Sequence, residues 1–274
     1  MNAQERKQNM DAQKQSPGHD PAGSRESRGL VRVSRTVIID RDEPGPIDTT
    51  VVAPTYYNSF NYALLSRDHA GLNLTVGITS ANAGEGKTLI ASNFAVSLAT
   101  ANLRDTVIVD LNVTAPRLHS IFGTKLSPGL FESVMPGAGD IHISPTRINH
   151  LHVLPAGTGM GTSNWSDTFG VPGRDNGSSP DAVPHVPTLG IEHVSLFRDV
   201  ILTLKEKFEF VIVDVPSLSG PSVPLLLSHQ IDGLLVVVNA NRTHREDLDK
   251  MIRRLNEGQV LGFVYNRASG DTFA

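Results

Sequence analysis

Apolar residues along this chain fall into two alternating patterns. Short runs that are apolar along their whole length predict buried strands, whereas segments with apolar residues three or four positions apart predict helices. The predicted strands are 72–79, 105–110, 151–157, 208–216, 233–240 and 260–266. The predicted helices are 56–69, 87–101, 193–208 and 244–257. Strands buried on both faces and alternating with helices predict an α/β fold with a mostly parallel, doubly wound sheet and helices on both faces.

The rest of the chain lacks this periodicity. Residues 1–52 are rich in Gln, Ser, Arg, Asp, Gly and Pro, and we predict a disordered N-terminal arm or linker there. Within it, "RVSRTVIID" (32–40) is compatible with a short strand or a docking segment, but a linker with one apolar patch is the favoured interpretation. The predicted domain spans 53–268, contains a long flexible loop at 158–190, and is followed by a short tail at 269–274.

Composition excludes several kinds of site and partner. The 274 residues include no cysteine, which excludes disulfides, cysteine-ligated zinc and a cysteine nucleophile. The net charge of −4 argues against a general nucleic-acid-binding protein, so no nucleic-acid partner is expected. The first residues have no apolar signal region, and no apolar run approaches the ~18 residues of a membrane span. We therefore expect a cytoplasmic location.

The stretch "SANAGEGKT" (80–88) follows a predicted strand and opens a predicted helix. Its glycines let the backbone wrap around phosphate oxygens, at which successive N–H groups and the helix N-terminus then point. This is the context of a P-loop, although the strict pattern begins with glycine where this chain has Ala81. Lys87 would reach the β- and γ-phosphates of ATP, and Thr88 would place its hydroxyl on Mg²⁺. The alternative is a glycine-rich turn with a surface lysine. The predicted nucleotide-binding residues of the loop are Ala83, Gly84, Glu85, Gly86, Lys87, Thr88 and Leu89.

Two later motifs complete a set, "VIVDLNVTAPRLHSIFG" (107–123) and "FEFVIVDVP" (208–216). Together with "TSANAGEGKT" they resemble the bacterial tyrosine kinase (BY-kinase) family, which serves capsule and exopolysaccharide production and is related to the ParA/MinD ATPases. The resemblance runs over about residues 55–268. It implies a P-loop NTPase fold, binding of ATP and Mg²⁺, and phosphoryl transfer to tyrosine or ATP hydrolysis. It also implies a separate inner-membrane polysaccharide co-polymerase as activator, through which the chain would lie peripherally at the inner membrane.

The resemblance also implies residue roles. Asp110, in the motif called Walker A′, would position Mg²⁺ through water or orient the attacking group, and Asp214, which ends the Walker B strand, would hold Mg²⁺ through water. Each aspartate has an alternative role, because an Asp that ends a strand often caps the next helix. Asn266, in "VYNR", is a candidate for contact with adenine. The predicted catalytic positions are Lys87, Asp110 and Asn112, and the predicted metal positions are Thr88, Asp110 and Asp214.

The Walker A′ motif departs from the family pattern, which has a second carboxylate followed by basic residues. Here Asn112 stands at the second carboxylate position, and Thr114 and Ala115 stand where arginines are usual. Asn cannot take up a proton at neutral pH, and losing a positioned general base typically costs ~10²–10⁴-fold in rate. Phosphoryl transfer depends more on positioning and charge neutralisation than on the base. Asn112 therefore predicts slow chemistry rather than none.

Other departures concern substrate and assembly. The family usually phosphorylates a tyrosine cluster at its own C-terminus, whereas only nine residues follow Tyr265 and none of them is tyrosine. The segment 58–68 lacks the E-x-x-R-x-x-R pattern that builds ring oligomers in the family, so a homo-oligomer stays open. At the position of the lysine that marks the ParA/MinD class, this chain has Asn82.

Three functions are compatible with these observations. The first is a BY-kinase-like enzyme that transfers the γ-phosphate to tyrosine or hydrolyses ATP slowly. The second is a catalytically impaired, nucleotide-gated module that docks on a membrane polysaccharide co-polymerase; Asn112 and the missing tyrosine tail favour it over a fully competent kinase. The third is a ParA/MinD-like positioning ATPase, against which Asn82 and the acidic balance count.

Overall fold

An eight-stranded sheet organises the computed structural model, which describes residues 35–50, 73–158, 189–219 and 222–268. Its strands are β1 (Thr36–Ile39), β2 (Leu74–Ser80), β3 (Thr106–Asp110), β4 (Asp140–Pro145), β5 (Leu151–Leu154), β6 (Phe210–Asp214), β7 (Gly233–Asn239) and β8 (Val260–Asn266). The helices in these ranges are α1 (Lys87–Asn102), α2 (Leu118–Phe122), α3 (Leu130–Ser133), α4 (His193–Lys205), α5 (Ser222–Ser228) and α6 (Arg245–Ile252).

The strands lie in the order β1-β4-β5-β3-β6-β2-β7-β8. Neighbouring strands run parallel except β4 and β5, which pair antiparallel through Ser144 and Val153. Every residue of β2, β3, β6 and β7 is buried, as expected for central strands whose two faces are both covered. The predicted mostly parallel α/β sheet is therefore confirmed.

Two apolar clusters cover the two faces of the sheet. Along β3, Ile108 packs in the cluster that contains Phe94 and Leu98 of α1. Val107 and Val109, which alternate with Ile108, pack in the cluster that contains residues of α4. This alternation is the two-residue period of a strand, and it shows that the sheet is wound on both faces. None of the helices in the described residues is long and apolar enough to cross a membrane.

The strands and helices predicted at 72–79, 105–110, 208–216, 233–240, 260–266, 87–101 and 193–208 are confirmed within a few residues at each end. The strand predicted at 151–157 is shorter and ends at Leu154, and the helix predicted at 244–257 ends at Ile252. The helix predicted at 56–69, the predicted tail and most of the loop predicted at 158–190 lie outside the described residues.

The linker interpretation of 32–40 is wrong for residues 36–39, since β1 is a strand within the segment predicted as a disordered arm. β1 pairs parallel with β4, where Thr36 lies opposite Asp140. After β1 the chain is bonded to the end of α2, because Gly45 N donates to Gly123 O at 2.7 Å and Asp48 N donates to Ile121 O at 2.8 Å. β1 is stabilised by pairing with β4, a strand about a hundred residues away. The residues of the segment 32–40 carry no information about that partner, so their pattern alone could not predict the strand.

Candidate functional site: a phosphate loop at the carboxyl edge of the sheet

The motifs singled out in the sequence meet at one edge of the sheet. β2 runs into the glycine-rich loop, and its neighbour β6 ends at Asp214, which lies in register with Ile78. β3 ends at Asp110, and Asp110 lies directly opposite Asp214 across the β3–β6 pair. Because these strands are parallel, their carboxyl ends open on the same side, where doubly wound sheets bind ligands. The polar residues at the ends of these strands therefore share one edge of the sheet.

The loop adopts a backbone shape that favours glycine. Gly84 has φ +78° and Gly86 has φ +98°, in the left-handed region that other residues rarely adopt. Gly86 immediately precedes α1, whose first turn contains no acidic side chain. The first N–H groups of a helix have no partner within the helix, and together with the loop they form a recess suited to phosphate oxygens. The local geometry therefore supports the predicted phosphate loop.

A hydrogen bond joins the side chains of Thr88 and Asp214 at this edge. The Thr88 hydroxyl donates to Asp214 Oδ2 at 2.6 Å, and Asp214 is 2% exposed. Burial and the neighbouring Asp110 carboxylate raise the pKa of Asp214 to about 7, against the opposing effects of Thr88 and Lys87. A buried carboxyl whose negative charge is poorly compensated, next to a hydroxyl, is an oxygen donor set that fits Mg²⁺. In the described residues no three His, Cys, Asp or Glu side chains form a metal cluster.

Lys87 opens α1 beside this pair and is half-buried. Burial lowers the pKa of its ammonium, while the negative charges of Asp214 and Glu85 oppose that shift. None of the described residues forms an ion pair with Lys87 within 4 Å. Its charge is therefore available for an anionic ligand in the adjoining cavity.

Asp110 has a different environment from Asp214, although both end central strands. Its Oδ1 accepts a hydrogen bond from Asn112 N at 3.1 Å, and its Oδ2 accepts from Arg117 N at 3.0 Å and Leu118 N at 3.1 Å. Burial raises the pKa of Asp110, and these three amides oppose the rise. Asp110 therefore caps the turn that leads into α2, which is the alternative role considered for it. Its predicted contact with Mg²⁺ through water stays a prediction.

Asn112 is built into the same turn. Its Nδ2 donates to Ala115 O at 3.1 Å, and its Oδ1 accepts from the Thr114 hydroxyl at 3.2 Å. These contacts join the three positions at which the chain departs from the family pattern. A carboxylate at position 112 could not donate to Ala115 O, so the substitution changes the turn as well as removing a base.

A cavity of about 710 Å³ opens between the loop, the Walker A′ turn and the residues Pro216, Ser217, Pro224 and Leu227. The predicted site residues that line it are Ala83, Gly84, Gly86, Lys87, Thr88, Leu89 and Asn112. Its other lining is mainly apolar, with Val113, Ile121, Leu189, Pro224 and Leu227. Among the described lining residues only Lys87 and Arg117 are charged. Sequence reasoning missed Arg117, although a basic residue close to the expected arginine positions was a usable signal.

Glu85 and Asn266 do not line this cavity, although both were predicted to bind nucleotide. Glu85 is 1% exposed and accepts hydrogen bonds from Asn82 N at 3.0 Å and from the Thr243 hydroxyl at 2.5 Å. Asn266 Nδ2 donates to Glu85 O at 2.9 Å. The Glu85 side chain therefore stabilises the loop on the side away from the cavity. The side-chain nitrogen of Asn266 is engaged by the carbonyl of Glu85 in the same loop. The contact of Asn266 with adenine stays a prediction. With Nδ2 engaged, Oδ1 is the side-chain atom that could make this contact.

A further contact joins the loop to α6. Asn82 Nδ2 donates to Asp247 Oδ2 at 3.1 Å. The ParA/MinD class has a positively charged lysine at position 82. In this chain the neutral amide of Asn82 stands there instead and donates to Asp247 of the same chain. The sequence carried no signal for Thr243 or Asp247, because each lies more than 150 residues from its loop partner.

The raised pKa of Asp214 has a consequence for stability. Between the ordinary Asp pKa and about 7, the folded chain keeps a proton on Asp214 that the unfolded chain has released. The free energy of unfolding of the metal-free protein should therefore fall as pH rises through that window. Urea denaturation in EDTA across the window should show this fall in the wild type and a shallower one in Asp214→Asn. Equal slopes in the two proteins would contradict the raised pKa.

Comparisons with known proteins agree with this geometry. No family model matches the chain. The chain is 25% identical over 202 residues to the tyrosine-protein kinase CpsD of Streptococcus agalactiae. The aligned region covers 72% of this chain and 75% of that protein.

Solved structures share the fold. The kinase domain of Escherichia coli tyrosine kinase ETK has a TM-score of 0.55 at 18% identity and covers 77% of this chain and 74% of that chain. The Pyrococcus furiosus cell division ATPase MinD has a TM-score of 0.50 at 22% identity and covers 72% and 73% of the two chains. Together with the loop, the strand order and the two strand-end aspartates, these likenesses show that the chain has a P-loop NTPase fold of the kind found in the bacterial tyrosine kinases and the ParA/MinD proteins.

Proposed function

We propose that this chain binds Mg·ATP at the carboxyl edge of its sheet and acts in capsule or exopolysaccharide assembly as a BY-kinase-like protein. It transfers the γ-phosphate to tyrosine or hydrolyses ATP slowly. The observation that carries the proposal is the bond of 2.6 Å between Thr88 and the buried Asp214 directly behind the glycine-rich loop. A surface turn with a lysine would not require a buried carboxyl at this place.

The side chains of the edge have distinct tasks in this proposal. The loop N–H groups and the Lys87 ammonium bind phosphate oxygens, as charge-assisted hydrogen bonds favour. Thr88 and Asp214 would hold Mg²⁺, directly and through water, and Mg²⁺ when bound would neutralise phosphate charge. Asp110 fixes the Walker A′ turn through three backbone amides, which keeps the wall of the cavity in place.

A second candidate is a nucleotide-gated binding module that docks on a separate membrane polysaccharide co-polymerase. The bonds of Asn112 within its turn favour it, because the side chain at the position of the second carboxylate is engaged with Thr114 and Ala115. Under either candidate we propose a cytoplasmic location, peripheral at the inner membrane through that partner. A homo-oligomer stays open.

The test is turnover of Mg·ATP, including transfer of phosphate to protein, by the wild type and by Asn112→Asp and Asn112→Ala. We expect slow wild-type turnover and a rise of about tenfold or more in Asn112→Asp, since a positioned base contributes ~10²–10⁴-fold and the altered turn removes part of that gain. Asn112→Ala is the matched control, because it breaks the same bonds of the turn without adding a carboxylate. Its rate should not exceed the wild-type rate.

Each outcome assigns a function. Turnover only in Asn112→Asp would make the natural protein a nucleotide-gated module rather than an enzyme. Wild-type turnover that neither substitution changes would keep the enzyme but remove any role of position 112 in proton transfer. A wild type that does not bind Mg·ATP would refute the proposal.

A further inference from the structure

Arg117 is the second cation of the cavity. It lines the cavity with Lys87 and Thr88, and its side chain is exposed. Among the described residues none accepts a hydrogen bond from its guanidinium or lies within ion-pair distance of it. By contrast, the guanidinium of Arg104 donates to Glu209 and that of Arg254 donates to Leu218 O. The Arg117 guanidinium is therefore free to meet a ligand.

The backbone of Arg117 is held in place. Its N–H donates to Asp110 Oδ2 at 3.0 Å, and Asp110 is fully buried. Asp110 lies opposite Asp214 on the neighbouring strand, and Asp214 accepts from Thr88. Neighbouring strands are ~4.8 Å apart, so a short chain of contacts fixes Arg117 relative to the phosphate loop. Its placement does not depend on the guanidinium, which leaves the side chain free for another task.

The cavity has an uneven distribution of charge. Lys87 supplies the positive charge on the loop side, whereas the Walker A′ turn presents Val113, Thr114 and Ala115 before the chain reaches Arg117. A transferring phosphoryl group carries charge on three oxygens, and cations on more than one side stabilise it. Arginine suits this role because its planar fork can bind two oxygens of one phosphate.

From these observations, and resting on the proposed function, we propose that Arg117 binds the terminal phosphate of ATP from the Walker A′ side of the cavity. Arg117 then replaces the positive charge that the family carries at the positions of Thr114 and Ala115. A contact to the terminal phosphate distinguishes ATP from ADP, which a purely structural arginine would not do.

The test is calorimetric titration of Mg·AMP-PNP and Mg·ADP into the full chain as wild type, Arg117→Ala and Arg117→Lys. Arg104→Ala is the matched control, because it removes the same charge at the opposite end of β3. We expect Arg117→Ala to weaken Mg·AMP-PNP binding by about tenfold to hundredfold and Mg·ADP binding by less than about twofold, given typical charged hydrogen bonds. Arg117→Lys should keep part of the difference, and Arg104→Ala should bind both like the wild type.

The outcomes separate the two proposals. A wild type that binds both nucleotides, with Arg117→Ala either unchanged or equally weakened for both, would overturn the role of Arg117 and leave the proposed function standing. A wild type that binds neither nucleotide would overturn both. Urea unfolding of Arg117→Ala should match the wild type, because the capping bond uses the backbone N–H.

Discussion

Replacing Lys87 by alanine should abolish Mg·ATP turnover and weaken Mg·ATP binding by about a hundredfold or more, given the usual strength of charged hydrogen bonds to phosphate. Among the described residues that line the cavity, Lys87 is one of two that are charged, and it directly follows the glycines that shape the phosphate recess. Without its ammonium, the loop keeps its N–H groups but loses the charge that reaches the outer phosphates. Calorimetric titration and a phosphate-release assay measure the two losses.

The same substitution should leave the fold intact. Burial lowers the pKa of Lys87, so the free protein holds this charge at a cost rather than gaining from it. Removing the ammonium should therefore leave the free energy of unfolding unchanged or slightly raised. Lys125→Ala is the matched control, since Lys125 is exposed and pairs with Asp42 away from the cavity. If Lys87→Ala bound Mg·ATP like the wild type, the stretch would be an ordinary glycine-rich turn.

The sequence predicted the parts of the site that are encoded locally or by a general rule of parallel sheets. The positions of Gly84, Gly86 and Lys87 follow from a short run of residues between a strand and a helix. The meeting of Asp110 with Asp214 follows from the rule that polar residues at the carboxyl ends of parallel strands share one edge. No knowledge of distant contacts was needed for either prediction.

The parts that the sequence left open depend on distant contacts or on choices that one residue type cannot resolve. Nucleotide binding by Glu85 stays a prediction for its backbone N–H, because Thr243, far along the chain, holds its side chain away from the cavity. Asp110 could equally cap a turn or position metal, because both tasks require a carboxylate at a strand end. β4 escaped prediction because His142 and Pro145 interrupt its apolar pattern.

The largest effect on stability should come from Gly129→Ala, with a loss of about 3–5 kcal/mol in the free energy of unfolding. A Cβ at Gly129 would lie 2.4 Å from Pro155 O and 2.5 Å from Gly157 N. These are backbone atoms, and they cannot move aside cheaply. Leu130 N donates to Pro155 O at 2.7 Å, and Gly157 N donates to Leu126 O at 3.0 Å. The added methyl group must therefore break bonds that hold the end of β5 to α3.

Two nearby glycines separate this contact from backbone strain. Gly137 has φ +84° and open space around a built Cβ, so Gly137→Ala should cost about 1 kcal/mol through strain alone. Gly139 has neither a positive φ nor an atom within 4 Å, so Gly139→Ala should change stability by less than about 0.5 kcal/mol. Gly129 is extended, at φ −153°, so its cost is due to contact and not to strain.

Urea denaturation of the three variants should give the order Gly129, Gly137, Gly139 from most to least destabilised. A Gly129→Ala protein no less stable than Gly137→Ala would mean that residues 155–157 do not pack against the start of α3 in this way. Lys87→Ala and Gly129→Ala together test whether nucleotide binding and fold stability can be separated. The first should remove nucleotide binding while sparing the fold, and the second should weaken the fold without touching a residue that lines the cavity. If both variants lost the same property, the loop could not be assigned a function separate from the stability of the sheet.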